Sequence, residues 1–154
     1  MRSGETGSDI MVREIQESEL KALLTLYLHL HEDAVPEITE HVKKTWKTIL
    51  SDRNHHIIVK ETEGKLVSSC VCVIIPNLTR GSRPYAFIEN VVTHTSYRKR
   101  GYASECLNYA KRIAEEAGCY KMLLMTGSKQ TSTLKFYEKA GYNSQDKTAF
   151  VQWL

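Results

Sequence analysis

Arg98-Lys99-Arg100-Gly101-Tyr102-Ala103 is the stretch on which the reading of this chain turns. It follows an apolar run, Phe87-Ile88-Glu89-Asn90-Val91-Val92, and opens a segment with apolar residues at 103, 106, 107, 110, 113, 114 and 117, one face of an amphipathic helix. A helix start offers backbone N–H groups with no partner inside the helix. Its dipole adds partial positive charge at the same point. Together they bind phosphate or pyrophosphate. Gly101 opens backbone angles closed to other residues and lets a ligand approach the chain. Three cations at this point oppose the helix dipole, and that mismatch is relieved by an anionic ligand.

Outward from this turn, the chain reads as alternating elements. Met11 to Ile15 suits a short strand, and Ser18 a cap for a helix striped by Leu20, Leu23, Leu24, Tyr27 and Leu28. His29 to Val35 reads as a loop able to touch substrate. Pro36 suits the first position of a second helix carrying Ile38, Val42, Trp46, Ile49 and Leu50. Ile57 to Lys60 and Leu66 to Ile75 read as strands joined at Glu63-Gly64. Leu78 to Pro84 reads as a loop and Tyr85 to Thr93 as the strand feeding the basic turn. The helix that follows stops at Gly118. Lys121 to Met125 reads as a buried strand. A helix starting at Ser128 or Thr131 ends at Gly141, and Ala149 to Trp153 makes a last strand. The order β-α-α-β-β-β-α-β-α-β points to an α/β layer arrangement with a right-handed parallel crossover in its second half.

Arg98-x-x-Gly101-x-Ala103 resembles the acyl-CoA pyrophosphate loop of the GNAT (GCN5-related) N-acetyltransferase superfamily, whose pattern is Arg/Gln-x-x-Gly-x-Gly/Ala. Phe136-Tyr137-Glu138-Lys139-Ala140-Gly141-Tyr142 resembles the segment that ends the next helix in that superfamily. The two motifs stand in the family's order, and the likeness covers residues 11 to 154. Ile88-Glu89-Asn90-Val91-Val92 and Gly118-Cys119-Tyr120-Lys121 are similar to glucosamine-6-phosphate N-acetyltransferases, a partial likeness that carries no substrate with it. The resemblance implies the GNAT acyl-CoA N-acyltransferase fold, a central mixed sheet flanked by helices, with the thioester arm of CoA lying between splayed fourth and fifth strands. It implies acetyl-CoA as cosubstrate and transfer of its acetyl group directly to a primary amine, with a small molecule as the expected acceptor.

Such a transfer needs an anchored pyrophosphate, a polarised carbonyl, a neutral amine and a stabilised leaving thiolate. The anchor is expected over Arg98, Lys99, Arg100, Gly101, Tyr102, Ala103 and Ser104, with backbone N–H groups as donors and Arg98 and Arg100 as counter-charges. By the resemblance, Val91, Val92 and Thr93 contact the pantetheine, and a backbone N–H near Val91 or Val92 polarises the carbonyl. An oxyanion donor of this kind contributes about 3 kcal/mol. Glu89 lies in an apolar strand, where a charge is costly without a purpose or partner. Desolvation makes a carboxylate a better general base; Glu89 could equally hold the substrate's ammonium, or sit on a solvent-facing side. Tyr137 is placed by the resemblance beside the sulfur; as a phenol it is a poor acid toward a thiolate, so a hydrogen bond is the economical role. The family often carries an Asn early in the last helix. Here the region is Ser128-Lys129-Gln130-Thr131-Ser132-Thr133, where Gln130 or Thr133 stands in.

Composition narrows the rest. The 154 residues are 42% hydrophobic and 25% charged, with a net charge of +3, an ordinary globular composition. Residues 1–10 read as a disordered leader or a cloning remnant, with Met11 as an alternative start, ahead of a single domain over residues 11–154. No apolar run approaches the roughly 20 residues that span a bilayer. No aromatic–basic platform accompanies the Arg98 cluster, which disfavours nucleic acid. Cys70, Cys72, Cys106 and Cys119 form no Cys-x-x-Cys pair and read as reduced thiols of a cytoplasmic protein. His29, His31 and His41 show no metal-ligand spacing beside Glu32 and Asp33, so no metal is expected. The family admits homodimers. Acetylation of a protein N-terminus or lysine, and a non-catalytic acyl-CoA-binding module, are the competing functions; a protein acceptor would need a groove between loops 29–36 and 77–84.

Overall fold

The computed structural model describes residues 11–154; the leader expected over residues 1–10 lies outside the described residues. One mixed sheet runs in the order β1-β2-β3-β4-β5, built from β1 (Met11–Glu14), β2 (His55–Thr62), β3 (Lys65–Ile75), β4 (Tyr85–Thr93) and β5 (Met122–Leu124). The first four strands form an antiparallel meander, and β5 joins β4 in parallel. The β2–β3 hairpin turns at Glu63 and Gly64, both at positive φ (52° and 72°), the geometry that matches the twist of the flanking strands. The helices are α1 (Leu20–Leu26), α2 (Glu40–Ser51), the single turn α3 (Thr79–Ser82), α4 (Tyr102–Glu116) and α5 (Thr131–Lys139).

Period-2 alternation in the strands feeds two cores, one on each face of the sheet. On one face, Ile58, Cys70, Cys72 and Ile88 pack against Cys106, Leu107 and Ala110 of α4, with Phe136 and Tyr137 of α5 at the edge. On the other, Ile57, Val59, Val71 and Val92 pack against Leu23 and Leu26 of α1 and Trp46 of α2. Each aliphatic side chain fully buried in this way contributes about 1.5–3 kcal/mol. The Trp46 indole N–H donates to the Glu17 carbonyl at 3.0 Å, tying α2 to the start of α1.

Four local expectations are corrected. Ser18 does not cap α1: it sits inside a 3-10 turn, Glu17–Glu19, because Glu19 reaches back to the Gln16 N–H at 2.8 Å and is itself clamped by Arg13. Helix α2 starts not at Pro36 but at Glu40, since Thr39 is the residue whose hydroxyl accepts from the Val42 N–H; Ile38 lies outside the helix. Strand β5 is three residues long and half-buried rather than buried, because only one of its edges is paired among the described residues. The expected strand at Ala149–Trp153 is absent: no strand is assigned there, and Phe150 and Trp153 are each 91% exposed. The composition suits a strand, but a strand also needs a neighbour, and none is provided within the described residues.

Candidate active site

The sheet opens where β4 meets β5. The two pair only over Ala86–Ile88 and Met122–Leu124, so β4 runs on from Glu89 to Thr93 with that edge unpaired among the described residues. At the same point the register against β3 slips. Ser69 faces Val92 and Val71 faces Glu89, which leaves Cys70 opposite both Asn90 and Val91. Asn90 takes this extra residue in the left-handed region, φ 50°, a conformation that Asn tolerates better than most residues. Such bulges gather where a strand must re-aim a side chain.

Backbone alternation then separates the three residues expected to meet the cofactor. The His94 N–H bonds the Val67 carbonyl at 2.8 Å, so Val92, two residues earlier, also directs its backbone at β3, and the buried Ser69–Val92 step is closed to a ligand. Ser68 takes the Val92 carbonyl, and the Val92 side chain is 4% exposed in the α1/α2 core. Val91 and Thr93 direct their backbone groups to the open edge, and the Val91 side chain packs in the same cluster as Tyr137. The three expected contacts thus divide: Val91 and Thr93 at the open edge, Val92 in the core.

The basic turn follows β4 directly. Gly101 stands at the start of α4 with φ 82° and ψ 8°, and no atom of the described residues lies within 4 Å of where a Cβ would stand. The first turn of α4 therefore presents its free N–H groups beside open space, which fits a pyrophosphate. Lys99, also at positive φ, and Arg100 are exposed. Arg98 is partly committed elsewhere: its guanidinium donates to the Thr93 carbonyl and to the His29 carbonyl, both at 3.3 Å. Arg100 lies 5.1 Å over the Tyr97 ring and reaches the Ser96 carbonyl. Arg98 thus joins the end of α1 to the turn, and a His29–His94 stack at 4.0 Å reinforces the join. Desolvation, then His29, Lys65 and Arg98, hold the pKa of His94 down.

Beneath the turn sits a feature the sequence reading missed. Lys60 of β2 is 1% exposed, and its ammonium lies 3.0 Å from Glu105 of α4 and 5.1 Å from the Tyr102 ring. A charge in a strand core is costly without a partner; here it offsets the carboxylate in the first turn of the helix.

Tyr137 lies half-buried on α5, edge-on to Phe136 and Tyr142. Burial, with the Cys70 thiol beside it, raises its pKa. Thr133 is held by Ser128 at 3.2 Å at the start of the same helix. Across the sheet, Glu89 points to the α1/α2 face and is exposed, so the desolvation expected of a buried strand carboxylate is not there. With Asn90 it rims a cavity of about 510 Å³ bounded by α1, α2 and strands β2–β4. Tyr27, whose pKa burial pushes up to about 12, and Trp46 belong to this cavity. Sequence reasoning took them as core stripe residues; the only signal against that was Asn90 inside an apolar strand. Neither loop 29–36 nor loop 77–84 lines the cavity. Arg83 instead fastens the latter to the Gly118 and Cys119 carbonyls. Among the described residues no group of three or more His, Cys, Asp or Glu is arranged to hold a metal.

The profile of the acetyltransferase (GNAT) family matches residues 20–142. The chain belongs to the GNAT family. It is an acetyl-CoA-dependent N-acetyltransferase. It is 30% identical over 139 residues to glucosamine 6-phosphate N-acetyltransferase of Trypanosoma brucei brucei, covering 90% of this chain and 92% of that one. Among solved structures, a putative acetyltransferase from Agrobacterium tumefaciens matches with a TM-score of 0.87 at 38% identity, over 94% of this chain and 100% of the other. A Trypanosoma brucei acetyltransferase matches at 0.80 and 28%, over 94% and 100%. The GNAT resemblance and the mixed, helix-flanked sheet read from the sequence are both borne out.

Proposed function

We propose that this GNAT enzyme transfers the acetyl group of acetyl-CoA directly to the primary amine of a small molecule. The observation that carries this reading is the bulge at Asn90. It lets one strand present Val91 to the open β4 edge beside Tyr137 and Glu89 to a cavity on the opposite face. An amine entering from the cavity and a thioester lying along the edge would meet there. The cavity has the size of a small-molecule site, which favours a small acceptor over a protein segment. Retention of Glu89 and Tyr137 favours catalysis over acyl-CoA binding alone.

Acetyl-CoA supplies the activated acetyl carbon. In this reading the first turn of α4, with Lys99 and Arg100, binds the pyrophosphate, while Tyr102, Ala103, Ser104 and Thr133 line its path. Arg98 holds the turn against the end of α1 and adds charge. The Val91 N–H polarises the carbonyl. Glu89 attracts the ammonium, and its exposure lets water carry the proton away. The Tyr137 hydroxyl donates to the sulfur as the carbon–sulfur bond breaks. Buried Cys70, Cys72 and Cys106, their pKa values raised by desolvation, are poor nucleophiles, which favours direct transfer in a ternary complex. Initial-rate kinetics of thiol release with varied amine and acetyl-CoA test this. Intersecting double-reciprocal lines are expected; parallel lines would indicate an acetyl-enzyme and sink direct transfer.

The reading includes a homodimer in the cytoplasm. Exposed Phe150, Val151 and Trp153 and the free edge of β5 both want covering, and a second copy supplies both. Light scattering on the full chain should give twice the monomer mass, and a chain ending at residue 148 should give the monomer. Unpaired buried thiols suit a reducing compartment.

A further inference from the structure

We infer that the acceptor is an amine carried on an apolar body, an arylalkyl- or alkylamine, and not a phosphorylated sugar. This deepens the amine-acetylation reading above and rests on it. Three features of the cavity argue for it.

Its walls are mainly hydrocarbon and aromatic. Leu23, Leu24 and Tyr27 come from the α1 side, Trp46 and Ile49 from α2, and Val71 from β3. Walls of this kind reward apolar area removed from water; Tyr27, His41, Thr45, His55, Glu89 and Asn90 interrupt them, but a mainly apolar lining leaves part of a sugar's hydroxyl set unpaired, each such loss being costly.

Its only formal charge among the described lining residues is the carboxylate of Glu89, at the end nearest the β4 bulge. His41 and His55 also line it; His55 is held toward its neutral form by burial. No Lys or Arg does. A phosphate needs cations or free N–H groups, and here it would meet a carboxylate instead. Arg53 belongs to an adjoining cavity of about 410 Å³, where Glu14 and Asp52 accompany it. Arg98 and Arg100 are engaged at the basic turn beyond the bulge.

The placement of the charge completes the case. One carboxylate at one end of an apolar cavity matches a ligand with one cationic end and an apolar remainder. The amine end then sits beside Val91, where the acetyl group is needed.

The test is kcat/KM by thiol release for 2-phenylethylamine, hexylamine, glucosamine and glucosamine 6-phosphate. 2-Phenylethylamine is expected to exceed glucosamine 6-phosphate by at least about tenfold, the scale on which apolar pockets discriminate. Equal rates, or a preference for the phosphosugar, would overturn the inference and leave amine acetylation standing. Thiol release with none of the four, while acetyl-CoA still raises the melting temperature, would sink amine acetylation and this inference with it. A variant tests the charge directly. Thr45 lines the cavity from an exposed position on α2, so Thr45→Arg supplies the missing cation without disturbing the core. It should lower kcat/KM for 2-phenylethylamine and raise it for glucosamine 6-phosphate, with the KM for acetyl-CoA unchanged. An unmoved ratio between the two amines would count against the inference.

Discussion

Tyr137 and Glu89 stand on opposite sides of one strand, and the chemistry expected of each follows from its surroundings. A phenol whose pKa burial has raised is a worse acid than a free one, and proton transfer to a thiolate is then uphill by more than about 2 kcal/mol. The role proposed for it is therefore that of a hydrogen-bond donor. Tyr137→Phe keeps the ring against Phe136 and Tyr142 and removes only the donor. We expect kcat to fall roughly 10- to 150-fold, the equivalent of about 1.5–3 kcal/mol, with acetyl-CoA affinity unchanged by calorimetric titration. Wild-type turnover, where chemistry limits the rate, would make Tyr137 a packing residue. For Glu89 the exposed setting shifts the expectation from proton abstraction to binding. Glu89→Gln should raise the KM for the amine by about tenfold or more and leave both the KM for acetyl-CoA and the acidic limb of the pH–rate profile in place. Loss of that limb in the mutant would restore the reading as a base.

At the scale of elements, helix α4 was the most legible part of the chain. Gly101 and Gly118 bracket it and its stripe is long, so start, stop and buried face could all be read. Gly101→Val forces a β-branched residue to φ 82°, a strained region for any L side chain. The mutant should keep its helical circular dichroism and lose acetyl-CoA binding in a calorimetric titration; affinity within a few-fold of wild type would mean that the turn is not the anchor. Helix starts without a glycine were harder. Both Ser18 and Pro36 carry real start signals, yet Glu19 and Thr39 win because tertiary partners and actual cap bonds decide between close candidates. The Glu19 contact also predicts a pH dependence. Arg13 grips Glu19 in two hydrogen bonds and lowers its pKa from 4.5. A carboxyl lowered on folding adds stability that is complete above its unfolded value and lost as pH falls through the folded one. Thermal melts should therefore show the wild type losing its advantage over Arg13→Gln below about pH 4.5. A constant gap between the two down to pH 2 would refute the assignment.

For the whole molecule, the sheet is a partition. The basic turn, α4 and α5 occupy one face with Tyr137, while α1, α2 and the apolar cavity occupy the other. The sequence showed the first face well, because a basic turn at a helix start and the Phe136–Tyr142 motif are local patterns. It showed the second poorly. Leu23, Trp46 and Ile49 form a helical stripe whether they meet a filled core or an open cavity, and a stripe does not say which. The missing partner of residues 149–153 was likewise invisible to composition. Ligand linkage spans both faces. Acetyl-CoA at about 100 times its dissociation constant should stabilise the fold by about 2.7 kcal/mol, a melting shift of roughly 5–10 °C for a chain of this size. No shift at saturating acetyl-CoA would contradict binding at the turn.

The extra residue in β4 also changes how the strand must be counted. Before Asn90 the even-numbered side chains, Ala86 and Ile88, face α4; after it the odd-numbered Val91 does, and even-numbered Val92 faces α1 and α2. The strand switches parity at a single position. A relative aligned here with a one-residue gap in the wrong place would keep its hydrophobic pattern and still exchange its two faces, assigning core residues to the cosubstrate and cosubstrate residues to the core. In this strand, homology is better matched by the phase of the pleat than by residue identity.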